Sequence, residues 1–410
     1  MHAMQIAVIG AGIVGATIAF ELRKRGHAVT LVDRDLPGCG CSFGNSGAIS
    51  EASVAPLAMP GVLASVPRML LDRESPLRVP LAYAPRALPW LVRFVASATP
   101  SRVETSAREL AALHAGAVAR HLALAREVGA SELVLERGHL YLYADRAALE
   151  KDSAAWELRR RYGHAGEVLD RTGILALEPA VHSRYTVAMF LRGHATVRNP
   201  LRYVEAIAKA FVSRGGTLRR AEATALARTA SGWTVATTED PLRTDAVVVA
   251  AGAWSRRLLD PQGLALPLET QRGYHVEFDG AAPVSRSVVL TDRKVFVTPM
   301  ETGLRVGGTV EIAGLTAPPD WRRADALVAA VRAAFRDLDA SPVRRWMGHR
   351  PCLPASVPYI GAVPGRSGLY AAVGHGHLGL TDAPATAERI AGLVASDLAV
   401  PGKRVPRTTS

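Results

Sequence analysis

Residues 5–9 (Gln-Ile-Ala-Val-Ile) form a short apolar run that ends in Gly10-Ala11-Gly12-Ile13-Val14-Gly15. Apolar positions then recur at helical spacing as far as Arg25, and after Gly26 a second apolar run, residues 28–32, stops at Asp33. Short apolar runs bounded by turn residues read as strands and a 3.6-residue period as a helix, so the chain opens strand, glycine turn, helix, strand. Residues 246–249 and 368–373 are continuous apolar runs, the pattern of strands buried on both faces of a parallel sheet. The second leads through Gly374-His375-Gly376-His377-Leu378-Gly379-Leu380-Thr381 into a final helix reaching Ser396. In between, residues 138–143, 217–219, 273–278, 287–290, 295–299 and 304–309 read as strands, the last four of a mainly antiparallel sheet. Helices are predicted over 106–128, 146–162 and 321–338, and from Pro200 to Phe211 with Asn199 as N-cap. Thr172-Gly173 and Gly215-Gly216 read as breaks, and the prolines of 56–100 leave room only for short helices.

The glycines of the first turn have separable physical roles. Gly10 permits the tight turn, Gly12 lets the backbone approach a pyrophosphate, and Gly15 lets the helix pack close on the strand. The helix start at Ile13 and Val14 faces the phosphate charge. Asp33, with Arg34 after it, accepts hydrogen bonds from a ribose. The loop 37–47 has unusual backbone freedom beside that site, and Ser42, Asn45, Ser46 and Gly47 are expected over the cofactor. Small residues at Ala250 and Gly252, with Trp254, imply close approach of something flat or of another backbone. The second glycine turn, with Gly374, Gly376, His377, Leu378, Gly379, Leu380 and Thr381, sets backbone donors and a helix N-terminus against a second ring system. Reduced flavin develops negative charge at such an end, so the cofactor reads as a flavin dinucleotide.

These motifs lie at the two ends and in the middle of the chain, so its domains are interleaved. The expected fold is α/β plus α+β: a Rossmann-like FAD-binding domain from 1–75, 191–265 and 350–400, and a substrate domain from 76–190 and 266–349 on a mainly antiparallel sheet. Residues 401–410 read as a flexible basic tail. The 410 residues carry 49 Lys+Arg against 37 Asp+Glu, a formal charge of +12. The basic residues are scattered and not interleaved with aromatics, so no nucleic-acid partner is expected. Cys39, Cys41 and Cys352 are too few for a four-cysteine zinc site and form no disulfide framework; His114 and His121 read as helix histidines rather than metal ligands, and no metal is expected. No secretory signal and no apolar run of roughly 20 residues is present. The expectation is a cytoplasmic protein, or one lying against the inner face of the membrane with at most peripheral contact through residues 88–95. The sequence is silent on oligomeric state.

Taken in order, Gly10-x-Gly12-x-x-Gly15 with Asp33, Ser42-Phe43-x-Asn45-x-Gly47, Asn199-Pro200, Ala250-x-Gly252-Ala253-Trp254-Ser255, Gly273-Tyr274, Arg350-Pro351-Cys352-Leu353-Pro354 through Pro358-x-Ile360-Gly361, and Gly374 to Gly379 resemble the FAD-dependent D-amino-acid oxidase superfamily. Within it, the chain is most similar to the small subunit of bacterial D-amino-acid dehydrogenase and the D-hydroxyproline dehydrogenases. The resemblance implies non-covalent FAD and hydride abstraction from the α-carbon of a small-molecule amino acid. The imino acid so formed hydrolyses to a 2-oxo acid and ammonia; a ring nitrogen gives a cyclic imine instead. It also implies that Arg350 pairs with the substrate carboxylate, that Tyr274 reaches the pocket, and that His375 or His377 bonds near the flavin or braces the turn. His275 should alternate to the opposite face from Tyr274. Asp33 stands where the family commonly has Glu. Met300 follows Pro299 where glycine oxidases have Arg, and Ala355 replaces an acidic residue of many relatives. Cys352 does not align with a covalent flavin link. The leading expectation is a D-amino-acid dehydrogenase passing electrons to a quinone or other acceptor. The alternatives are a D-proline or cis-4-hydroxy-D-proline dehydrogenase, an oxygen-using oxidase, or a non-catalytic flavin subunit of a hetero-oligomer.

Overall fold

The computed structural model describes residues 3–60, 77–336, 338 and 341–399. The expected boundary at 75/76 and the tail 401–410 lie outside the described residues. Along the chain, β1 (Gln5–Ile9), α1 (Ile13–Lys24) and β2 (Ala28–Asp33) are followed by α2 (Ala84–Ala96), α3 (Pro100–His114) and α4 (Ala117–Glu127). Next come β3 (His139–Tyr143), β4 (Val187–Leu191), α5 (Pro200–Ser213), β5 (Thr217–Arg220) and β6 (Ala246–Val249). β7 (Glu269–Asp279), β8 (Ser287–Leu290), β9 (Val295–Met300), β10 (Gly303–Glu311), β11 (Arg344–Cys352), β12 (Tyr359–Ala362), β13 (Leu369–Val373) and α6 (Gly379–Ala399) complete the set that builds the site.

A six-stranded sheet has the order β5-β2-β1-β6-β13-β12, parallel except for the last pair. Val8 lies beside both Leu31 and Val248, and all three are fully buried. The central strands β1, β6 and β13 read as continuous apolar runs because both faces are covered. Ile6, Val8, Val29 and Leu31 pack under α1, α4, α5 and α6, while Ala7, Ile9, Val247 and Val249 pack against Leu226, Trp233 and Val235. Those last three come from a three-stranded antiparallel sheet over residues 223–244 that the sequence pattern did not announce.

The second sheet has nine strands, in the order β11-β7-β10-β9-β8-β3-β4 and then Glu167–Leu169, with Leu77–Arg78 added alongside β10. Its ladders are antiparallel except β3 with β8 and Leu77–Arg78 with β10. One face packs Tyr274, Val276, Val297 and Val306 against Leu327 and Val331 of the helix Arg322–Ala334. The Rossmann-like sheet beside a mainly antiparallel one is the expected fold class.

Some elements differ from the pattern. The helix expected over 106–128 is two, because Gly116 takes a left-handed φ of 68° between α3 and α4. The helix expected over 146–162 is also two, Arg146–Lys151 and Ser153–Arg161, the first capped by Asp145. Thr172-Gly173 is not a break: Asp170 accepts from the Gly173 N–H at 2.8 Å and starts the helix Arg171–Leu177. The helix expected over 321–338 spans Arg322–Ala334. Asn199 caps α5 as expected, accepting from Arg202 N–H. The expected division at 349/350 falls inside β11, which places Arg350 in the nine-stranded sheet.

Candidate active site

β1, β2 and β6 carry their connections to one end of the six-stranded sheet, where chain reversals leave a crevice. Gly10 has a φ of 108°, and a Cβ there would lie 2.3 Å from the Ala250 carbonyl oxygen. A Cβ on Gly15 would lie 1.8 Å from the carbonyl oxygen of Gly10, so this glycine closes the turn from behind rather than lining it. Gly12 faces the crevice, and its nearest neighbour is the Ser42 hydroxyl. Ser42 Oγ accepts from the Ile13 N–H at 2.9 Å, leaving its own hydrogen free to donate. At the end of β2, Asp33 accepts from the N–H groups of Ala11 (2.6 Å) and Asp35 (3.0 Å), so it braces the glycine turn as well as facing the crevice. Burial pushes its carboxyl pKa up, against those two bonds and the Arg34 charge. Arg34 lies 4.3 Å over the Trp254 ring, giving this end of the crevice a flat wall beside Ala250 and Gly252.

The loop 37–47 is held by the large sheet. Arg305 donates to the carbonyls of Phe43 and Asn45, both at 2.7 Å, and pairs with Glu277 at 2.5 Å. A Cβ on Gly44 would strike the Trp346 ring at 2.0 Å, which fixes the loop against β11. Asn45 and Ser46 line the crevice, whereas Gly47, φ 73°, sits behind it against the Val197 carbonyl.

β13 ends in Gly374 (φ 90°) and Gly376 (φ 56°), and α6 then points its first turn into the crevice through Leu378, Gly379 and Leu380, with Val14 of α1 opposite. First-turn N–H groups lack intrahelical acceptors and suit negative charge. Thr381 does not line the crevice: its hydroxyl donates to the Ala48 carbonyl and accepts from the Ser50 N–H. His375 is buried and bonded to Thr386, so it braces the turn. His377 is exposed to the cavity; the surrounding walls first, and then the Arg350 charge, push its pKa down to about 4. His121 is fully buried, its ring nitrogens meeting the Tyr203 hydroxyl and the Leu380 carbonyl, as expected of a satisfied helix histidine.

Arg350 lines the same cavity, placed by the pairing of β11 with β7 opposite Gln271. It donates to the Thr309 carbonyl at 3.0 Å, and among the described residues no carboxylate pairs with it. Burial lowers its pKa, but a guanidinium stays charged across the working range. Tyr274 does not reach the cavity. It is 1% exposed on the opposite face of β7, where its hydroxyl donates to Glu311 (2.6 Å) and accepts from the Asp320 N–H (2.9 Å). Glu311 also pairs with the fully buried Arg272, so Tyr274 belongs to a structural network. His275 takes the opposite face from Tyr274, as expected, but is covered by the stacked Trp346 ring.

Sequence reasoning did not single out Gln271, Lys294, Phe296 or Thr309, which join the cavity through the cross-strand order of the large sheet. It also left Leu91, Phe94 and Val95 within a segment read for peripheral membrane contact. They form an apolar wall of the cavity with Leu57, Leu77 and Val79.

The cavity encloses about 790 Å³, within the range of about 300–1,000 Å³ typical of ligand sites. Its lining runs from Asp33 and Trp254, past Gly12 and Ser42, to the α6 N-terminus and Arg350. A carboxylate at the end of β2, two helix starts flanked by side-chain-free glycines, and a cation beyond them fit FAD. Such a site defines a flavin dinucleotide oxidoreductase. Residues 5–393 match the model of the FAD dependent oxidoreductases, DAO, and the chain belongs to that family. It is 38% identical over 398 residues to a D-amino-acid oxidase of Bradyrhizobium diazoefficiens, covering 95% of this chain and 94% of the relative. It is 36% identical over 431 residues to D-amino acid dehydrogenase 2 of Ralstonia nicotianae, covering 96% of each. The crystal structure of glycine oxidase from Geobacillus kaustophilus superposes with a TM-score of 0.72 at 23% identity, over 97% of this chain and 95% of that one, and shows the shared fold.

Proposed function

We propose that the protein oxidises a D-amino acid at its α-carbon and passes the electrons to a quinone or another carrier rather than to oxygen. Arg350 is the observation that carries the amino-acid reading: a planar cation in the cavity wall, beyond the dinucleotide crevice, with no carboxylate to neutralise it among the described residues. A substrate carboxylate held there bidentately sets the α-carbon beside the α6 N-terminus, with its side chain toward Leu91, Phe94 and Val95. His377, neutral above about pH 4, offers an acceptor nitrogen to the substrate amine. The amine gives its proton to solvent as the C=N bond forms and the Cα–H leaves with its electron pair. Bound FAD supplies the two-electron acceptor for that hydride. The imino acid then hydrolyses to a 2-oxo acid and ammonia. The D configuration rests on the names of the two relatives, which divide between oxidase and dehydrogenase.

In this reading Gly12, Val14 and the Ser42 hydroxyl hold the pyrophosphate, Asp33 the ribose, and Gly376 to Leu380 the ring end. The cofactor half comprises 1–75, 191–265 and 350–400, with the strand of Arg350 shared with the substrate half. Among the described residues no helix is long and apolar enough to cross a membrane. Leu88 and Val92 of α2 are 57% and 59% exposed beside Arg86 and Arg93, a face suited to peripheral membrane contact. The test is anaerobic mixing of FAD-loaded protein with D- and L-amino acids while flavin absorbance is followed. Bleaching by D-amino acids is expected. Bleaching only by D-proline or cis-4-hydroxy-D-proline would move the substrate to a ring amine, and none with any amino acid would leave a flavin carrier. Stopped-flow reoxidation by a quinone and by oxygen decides the acceptor.

A further inference from the structure

Three irregularities of the large sheet converge on the Arg350 guanidinium. The first is an absent side chain. A Cβ on Gly273 would lie 2.1 Å from Arg350 Cζ, so the guanidinium occupies the space a side chain at 273 would need. The second is a change of register. Arg272 pairs with Glu311 and Tyr274 with Gly308, so Gly273 alone opposes both Thr309 and Val310, a β-bulge. The third is backbone strain. Thr309 has a φ of 58°, a left-handed conformation that suits glycine or asparagine and is unusual for a β-branched residue. Its buried hydroxyl has no hydrogen-bond partner among the described residues, while its carbonyl accepts from Arg350 at 3.0 Å. Such strain persists where surrounding structure enforces it, and it collects at functional sites.

We propose that Gly273 and Thr309 are positioning residues for Arg350: a notch in β7 and a carbonyl turned in by a bulge in β10 seat the guanidinium for the substrate carboxylate. This rests on the assignment of Arg350 as the carboxylate clamp. Across the cavity face the order is Arg350 from β11, the vacant Gly273 from β7 and the Thr309 carbonyl from β10. The side chain therefore crosses one strand and docks on the next, which fixes a long flexible group in one place. Regular pairing with a side chain at 273 would leave it neither the space nor the acceptor.

The test uses FAD-loaded protein and 2-aminoisobutyrate, an amino acid with no α-hydrogen to lose, with binding read from the flavin spectrum. Gly273 is outside the left-handed region, so its backbone accepts alanine, and the atoms nearest the added methyl are those of the movable Arg350 guanidinium. Gly273→Ala is expected to keep the thermal midpoint and FAD content yet weaken binding by about tenfold or more, as Arg350→Ala does. In an Arg350→Ala background the space is empty, and Gly273→Ala should change affinity by less than about twofold. Thr309→Gly should raise the thermal midpoint by relieving strain but weaken binding roughly three- to fivefold, because glycine frees the carbonyl. Thr309→Asn, which favours the left-handed region, should raise the midpoint and keep wild-type affinity. Wild-type binding by Gly273→Ala, or an undiminished loss in the Arg350→Ala background, overturns the proposal. If Arg350→Ala itself binds like wild type, the clamp assignment fails instead, whatever the neighbours do.

Discussion

Truncating Arg350 to alanine tests the proposed carboxylate clamp separately from the cofactor crevice. One guanidinium N–H is committed to the Thr309 carbonyl, which leaves four of the five donors for a ligand. A bidentate carboxylate takes two of them in charge-assisted bonds, each about 1.5–3 kcal/mol. The two bonds share one pair of charges and are less than additive, so losing both removes about 2–4 kcal/mol. At about 1.4 kcal/mol per tenfold, the second-order rate of flavin reduction should fall roughly 30- to 1,000-fold. Arg350→Lys should recover only part of this, because an ammonium has no planar fork. FAD content should not change, since in the proposed reading the glycine turns and Asp33, not Arg350, hold the dinucleotide. The assay is anaerobic stopped-flow reduction over a range of D-amino-acid concentrations, repeated with the matching amine that lacks the carboxylate. Wild type and variant should handle that amine alike. An Arg350→Ala protein whose reduction shows unchanged dependence on amino-acid concentration would refute the assignment.

Tyr274→Phe should destabilise the fold by about 1–3 kcal/mol, because Glu311 and the Asp320 N–H lose a buried partner; denaturant unfolding measures this. The same variant should keep flavin reduction within about twofold of wild type, since Tyr274 lies away from the cavity. Gly12→Val should prevent FAD loading while the apo-protein still unfolds cooperatively, because the side chain would enter the narrow space beside Ser42; released flavin and a melting curve test both halves. Burial, opposed by the Leu380 carbonyl bond, holds His121 at a pKa of about 4 against an ordinary 6.5, so below 6.5 the unfolded chain takes up the proton first. Its contribution is therefore complete above pH 6.5 and is lost as pH falls toward 4, by about 3 kcal/mol at the lower end. Unfolding free energy followed from pH 7 to 4 should fall less steeply in His121→Gln; an identical slope would show that another group titrates.

The parallel strands of the six-stranded sheet and its two glycine turns were legible because each is written in adjacent residues, whereas β12 was not foreseen. A parallel strand covered on both faces needs a continuous apolar run, and Gly10 and Gly374 are needed where backbone turns with positive φ. The long helices were misread where the break is a backbone conformation rather than a change of composition. Gly116 interrupts a periodic pattern that otherwise continues from α3 into α4. Asp170 runs the other way: its capping bond places Thr172-Gly173 inside a helix, although their propensities argue against one. The three-stranded sheet over 223–244 went unseen because its strands mix polar and small residues and gain burial only from Trp233 and its neighbours.

The substrate end was the least legible for a related reason. Its residues are neighbours across strands, not along them: Gln271, Thr309 and Arg350 share a wall because β7 lies between β10 and β11. Alternation along β7 correctly separated Tyr274 from His275, but it carries no information about which face meets the crevice. The family resemblance placed Tyr274 in the cavity, but its face is the one packed against Leu327 and Val331. Gly273 shows the same limit from the opposite side. In sequence it is a small residue before an aromatic, and only the register of β7 with β11 reveals that Arg350 fills the space it leaves. A dinucleotide crevice built from local turns can thus persist while the cross-strand wall changes. Substitutions at Lys294, Phe296 or the α2 face would reshape the substrate chamber without touching a single residue of the glycine turns.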